Sequence, residues 1–180
     1  MKARTRTPAA LLSVDGVSAS AVMRAAKRLA SADRGNRAGI SCWDASGIFG
    51  DLDVAALDVE PPSARTLLLL YAADLAFRLR WEIRPALAEG RRVIAAPYVD
   101  TAIALGRAAG LDDAWLRNVF EFAPVPTERR YVEGSPGPSG QGLVEFACRR
   151  LMGMKTRSVQ RELVTRTQSR LKATRHRSGH

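Results

Sequence analysis

Between an apolar run ending at Val14 and an alanine-rich helical stretch lies Asp15-Gly16-Val17-Ser18-Ala19-Ser20-Ala21-Val22-Met23. A turn from strand into helix collects backbone N–H groups at a helix N-terminus, whose partial positive charge favours an anion. A complete phosphate loop needs the pattern GxxxxGK[ST]: glycines that let the backbone surround phosphate oxygens, a lysine that neutralises charge and a hydroxyl that holds magnesium. Counting from Gly16, those last three positions are Ala21, Val22 and Met23. The turn therefore keeps the helix start and lacks the side chains of a triphosphate site, which also describes a plain strand-to-helix turn. Cys42 and Cys148 stand alone, without a CxxC or a nearby histidine, so neither a disulfide framework nor a metal site is expected. His176 and His180 lie in a basic end without a serine, cysteine or carboxylate neighbour, and no catalytic set is assigned.

The elements that would position this turn follow from periodicity. Pro8 to Asp15 is a short apolar run closed by a turn signal, predicting a buried strand. Ala19 to Ala32 predicts a helix, and Ile40 to Trp43 a second strand. Pro61-Pro62-Ser63 and Gly90 start and stop a long helical stretch, Ala64 to Glu89, which Pro85 should kink or break. Arg92 to Ala96 predicts a third strand, followed by a short helix capped by Asp100, a helix from Asp112 to Phe122 and a fourth strand over Arg129 to Glu133. Gly134 to Gly140 is a loop by composition, and Leu143 to Lys172 predicts one or two amphipathic helices that fray from Ala173. The alternation implies a parallel sheet covered on both faces, with Val14, Val93 and Ile94 in its core and the Asp15 to Ala21 turn at its C-terminal edge.

The chain has 180 residues and a formal charge of +10, unevenly placed. Residues 149–180 hold ten lysines and arginines against the single acid Glu162; Lys2, Arg4 and Arg6 add three more, which leaves residues 7–148 at −2. The expected organisation is an α/β domain over 7–148 and a basic helix and tail over 149–180. No run reaches 18 apolar residues, so no membrane span is expected. The opening stretch mimics a secretory leader only faintly, since its short apolar part runs into Asp15 and Gly16, and a cytoplasmic location is expected.

From about residue 10 to 127 the chain resembles the thymidylate kinase family. The strongest stretch combines Leu69-Leu70-Tyr71-Ala72-Ala73-Asp74-Leu75, Ile83 to Gly90, Val93-Ile94-Ala95-Ala96-Pro97-Tyr98-Val99-Asp100, Gly110-Leu111-Asp112 and Trp115-Leu116. In order and spacing these match the family's substrate helix and the segments after it. The resemblance implies a P-loop NTPase-like parallel sheet of about four strands with helices on both faces, here ending in a basic helical tail. It also exposes losses. The family's Ala-Asp-Arg is Ala73-Asp74-Leu75 here, its Asp-Arg-Tyr is Ala96-Pro97-Tyr98, and the arginine of its second loop is Trp43. With Val22 in place of the lysine, four cations and one carboxylate are gone. Phosphoryl transfer rests on positioning and charge stabilisation, and a single finger-type arginine can be worth about 10³ to 10⁵ in rate.

The resemblance thus implies a catalytically impaired, pseudokinase-like protein with a regulatory or scaffolding role, no catalytic residues, no metal site and no resident cofactor. Candidate residues for weak nucleotide binding are Asp15, Gly16, Ser18, Ser20, Tyr71, Asp74 and Tyr98. Tyr71 stands where relatives place a base-stacking Phe, although a tyrosine in an Ala/Leu-rich helix also suits a core. One alternative is an active dTMP kinase with displaced groups, which would use ATP and Mg²⁺. Another is a nucleic-acid-binding accessory protein using the +9 tail, which carries no aromatic residue to stack bases. Expected partners are another protein or a second copy through the Leu67 to Leu79 face; no membrane is expected.

Overall fold

The computed structural model describes residues 9–32, 38–55, 62–136 and 140–177. The leader-like opening residues 1–7 and His180 fall outside them. Four strands, β1 (Ala10–Gly16), β2 (Gly39–Cys42), β3 (Arg92–Ala96) and β4 (Glu128–Val132), form one all-parallel sheet in the order β2-β3-β1-β4. Leu12 pairs with Ile94 in β3 and with Glu128 in β4.

The pleat sends successive side chains to opposite faces, and each face has its own apolar cover. Leu12, Val14, Ile94 and Ala96 meet Val22 and Ala26 of α1 (Ala19–Ala32). Leu11, Val93 and Ala95 meet a larger set: Leu68, Tyr71 and Leu75 of α3 (Ala64–Arg78), Ile103 and Leu105 of α5 (Val99–Ala108), Phe146 of α7 (Leu143–Arg150), and Val159 and Leu163 of α8 (Thr156–Arg177). Val14, Val93 and Ile94 are buried as expected. Position 148/149 lies inside α7, and α8 runs on through residues 173–177 instead of fraying there.

Two elements differ from the expectation. α2 (Ile48–Ala55) is not suggested by its short, acid-rich sequence. It forms because Asp44, held at φ 57°, accepts from Phe49 N–H (2.8 Å) and Gly50 N–H (2.9 Å), satisfying donors of the first turn. The break expected at Pro85 takes the form of a π turn over Leu79–Ile83, with α4 (Arg84–Ala88) continuing after it. Pro85 has no N–H for the Trp81 carbonyl, and the widened turn lets Arg84 N–H donate to Leu79 O. The remaining helix, α6 (Asp113–Val119), is capped by Asp112, whose Oδ1 accepts from Trp115 N–H at 2.8 Å.

Candidate functional site

The turn from β1 into α1 opens at the C-terminal edge of the sheet, where open α/β sheets bind ligands. Ser18 caps α1: its hydroxyl accepts from Ala21 N–H (3.4 Å) and its carbonyl from Val22 N–H (2.9 Å). Ala19 N–H points elsewhere. It donates at 2.8 Å to Glu145 Oε1, from the first turn of α7, 126 residues away in sequence. Glu145 is 6% exposed. The chain arriving at α7 is shaped around this carboxylate, since a Cβ on Gly142 would lie 2.5 Å from Oε2 and one on Gly140 2.7 Å from Oε1. Trp43 secures the same segment by donating Nε1–H to Gln141 O (2.8 Å), and Arg149 donates to Gly140 O (2.9 Å). The anion position of α1 is thus filled by a side chain of the protein itself.

Beside it lies a cavity of about 520 Å³, bounded by Gly16, Ser20 and Val22 from the first turn, Cys42 and Trp43 after β2, Ala96 and Pro97 after β3, and the 140–145 segment. Its walls carry no lysine or arginine among the described residues, and Glu145 is the one acidic side chain on them. Burial pushes the Cys42 thiol above its usual pKa, so it is no ready nucleophile. The groups that ATP and Mg²⁺ would need do not fit here: Val22 and Met23 offer neither cation nor hydroxyl, and a carboxylate already holds a backbone donor.

Of the candidate nucleotide contacts, Gly16 and Ser20 line this cavity and Ser18 caps the helix beside it, its Oγ 3.2 Å from that of Ser20. The others are held inside the protein. Asp15 Oδ1 accepts from Tyr98 N–H (3.0 Å), Thr101 N–H (3.0 Å) and Thr101 Oγ1–H (2.8 Å), so it closes the N-terminus of α5. Burial, aided by the Asp100 charge and opposed by those hydrogen bonds, raises its pKa from 3.8 to about 6. Asp74 is fully buried and ties down the β2–α2 connection: Oδ1 accepts from Ser46 N–H (3.0 Å) and Ser46 Oγ–H (2.8 Å), Oδ2 from Asp44 N–H (3.1 Å). Tyr71 packs against Phe120 with its hydroxyl 3.1 Å from Tyr98 O, and Tyr98 donates its own hydroxyl to Pro124 O (2.9 Å). Burial raises both phenol pKa values. Asp100 belongs to a separate cluster, receiving Arg166 Nε–H at 2.6 Å and Arg170 Nη1–H, with Arg129 at 3.9 Å.

Two buried polar side chains that shape this region escape the sequence reading. Glu145 has only the flanking Gly140 and Gly142 as a sign that backbone must approach closely. Arg78, fully buried one turn after Asp74, donates Nη2–H to Ser41 O (2.7 Å) and Pro97 O (3.1 Å) and Nε–H to Ser41 Oγ (3.0 Å). It pins the ends of β2 and β3 to α3. Its only sign is a lone cation between Leu75 and Leu79.

The parallel sheet, its strand order and the turn at its C-terminal edge define an open α/β fold with helices on both faces. In fold the chain is similar to the crystal structure of thymidylate kinase from Ehrlichia chaffeensis, with a TM-score of 0.57 and 15% identity over 71% of this chain and 72% of that one. In sequence it is 40% identical over 75 residues, 42% of its length, to a probable thymidylate kinase of Pyrococcus horikoshii. The match spans 37% of that relative. No family model matches the chain. The chain is therefore similar to thymidylate kinases, in sequence over 42% of its length and in fold over 71%.

Proposed function

We propose that this chain is a catalytically impaired thymidylate kinase-like protein, regulatory or scaffolding in role, with at most weak nucleotide binding. The observation that carries the reading is the Glu145 carboxylate on Ala19 N–H, at the helix start where a phosphate would sit. Two unit charges of like sign 4 Å apart repel by about 4 kcal/mol at an effective dielectric of 20. A helix N-terminus returns about 0.3 to 2 kcal/mol to an anion. Repulsion wins, and no cation on the cavity wall offsets it.

The surface suggests a second copy as partner. Leu67, Leu68, Leu75 and Leu79 point into the core, while Leu69 and Phe77 of α3 and Trp81 of the π turn are exposed. Among the described residues no helix is long and apolar enough to cross a membrane. The free thiols of Cys42 and Cys148 suit a reducing cytoplasm.

A thermal-shift screen with ATP, ADP and dTMP, each with Mg²⁺, tests the reading. Ligand at about 100 times its Kd would add roughly 2.7 kcal/mol to the folded state, a rise of several degrees. The expected result is no rise at millimolar nucleotide; a rise of several degrees would defeat the proposal.

A further inference from the structure

Glu145 Oε2 is left over by this reading. Oε1 is engaged by Ala19 N–H, whereas Oε2 accepts no hydrogen bond from the described residues, on a side chain that is only 6% exposed and lines the cavity. Arg149, four residues on and the natural helical partner, turns away to Gly140 O (2.9 Å) and Asp53 (3.7 Å). Arg150 also reaches Asp53, at 2.7 Å. The cavity that this carboxylate lines is walled mostly by Val22, Met23, Trp43, Ala96, Pro97 and Leu143, with Ser20, Thr101 and Gln141 as neutral polar groups and no cation among the described residues to meet it.

We propose that the cavity binds a small organic cation, a protonated amine on an apolar body, with its ammonium group donating to Glu145 Oε2 and its body against Trp43 and Pro97. This rests on the reading that the site refuses phosphate, and names what it takes instead. The volume of about 520 Å³ lies in the ordinary range for small-molecule sites and exceeds what one bicyclic amine fills. A charge-assisted hydrogen bond in a sheltered cavity supplies the selectivity.

Three probes that share one ring and differ in charge test the proposal on the full chain by calorimetry: tryptamine (cation), 3-methylindole (neutral) and indole-3-acetate (anion). Tryptamine is expected to bind at least about tenfold more tightly than 3-methylindole, and indole-3-acetate not at all. Glu145→Gln keeps an acceptor for Ala19 N–H and should bring tryptamine and 3-methylindole to equal affinity. If that variant misfolds, the wild-type series decides alone. Equal affinity for all three probes, no tryptamine binding up to roughly 10 mM, or a preference unchanged in a folded Glu145→Gln protein would overturn the proposal. Failure with tryptamine while ATP and dTMP also leave stability unchanged removes the ligand class only. Stabilisation by ATP or dTMP removes the reading beneath it as well.

Discussion

Asp15 shows how far a residue's chemistry depends on the partners the fold supplies. By sequence it opens the turn that faces a ligand; in the structure its carboxylate closes α5 through Tyr98 and Thr101 and lies against Asp100 with Arg129 and Arg170 nearby. Its pKa of about 6 against 3.8 gives a testable sign. Well below pH 3.8 the carboxyl is protonated in both states and folding is indifferent to it; the loss of stability develops between 3.8 and about 6. As pH rises through 6 the unfolded chain has released its proton and the folded one must charge a buried group, so stability falls by on the order of 3 kcal/mol. Asp15→Asn keeps the Oδ1 acceptor and removes the charge. In urea unfolding its stability relative to wild type should therefore increase from pH 4.5 to pH 7.5. A difference that does not change with pH would contradict this account of Asp15. The same limit applies to Asp74, Tyr71 and Tyr98. Their residue types fit a nucleotide site, but the three-dimensional neighbours that engage them lie up to 30 residues away and no local pattern announces them.

At the scale of elements, much was legible because β1 and β3 are short apolar runs with a turn signal at their ends, and α1 has a clear apolar stripe. What was not legible depends on contacts between elements. α2 needs Asp44, itself positioned by Asp74, and Glu145 reaches α1 only after α7 has docked. Proline marked the disturbance near position 85, but not that the helix would widen into a π turn and continue. Three elements pack tightly at Gly16, where a Cβ would lie 2.7 Å from Val132 O of β4 and 2.9 Å from Val22 Cγ2 of α1. The first of these is backbone paired in the sheet and cannot swing aside. Gly16→Ala is thus expected to destabilise by about 1 to 3 kcal/mol through overpacking, read as a lower denaturation midpoint at unchanged slope. A midpoint equal to wild type would show that β4 yields freely.

Across the whole molecule the charge is divided between a near-neutral α/β body and a basic α8, yet the structure gives the basic residues different tasks. Arg166 and Arg170 are bound to Asp100 and attach α8 to α5, whereas Lys155, Arg157, Arg161 and Lys172 are exposed. Any affinity for nucleic acid should therefore reside in the exposed set. Reversing Arg157, Arg161 and Lys172 to glutamate is expected to remove salt-sensitive binding to a DNA or RNA duplex without a large loss of stability. Binding that survives the reversals, or that ignores salt, would assign α8 to protein contacts. The central claim concerns the other end of the fold, where Glu145 holds the helix start that a phosphate would need. Its most direct test is turnover of dTMP by the purified chain with ATP and Mg²⁺. The account predicts no product above the enzyme-free control, while turnover at about 1 s⁻¹ or faster, within the usual range of kinases, would contradict it.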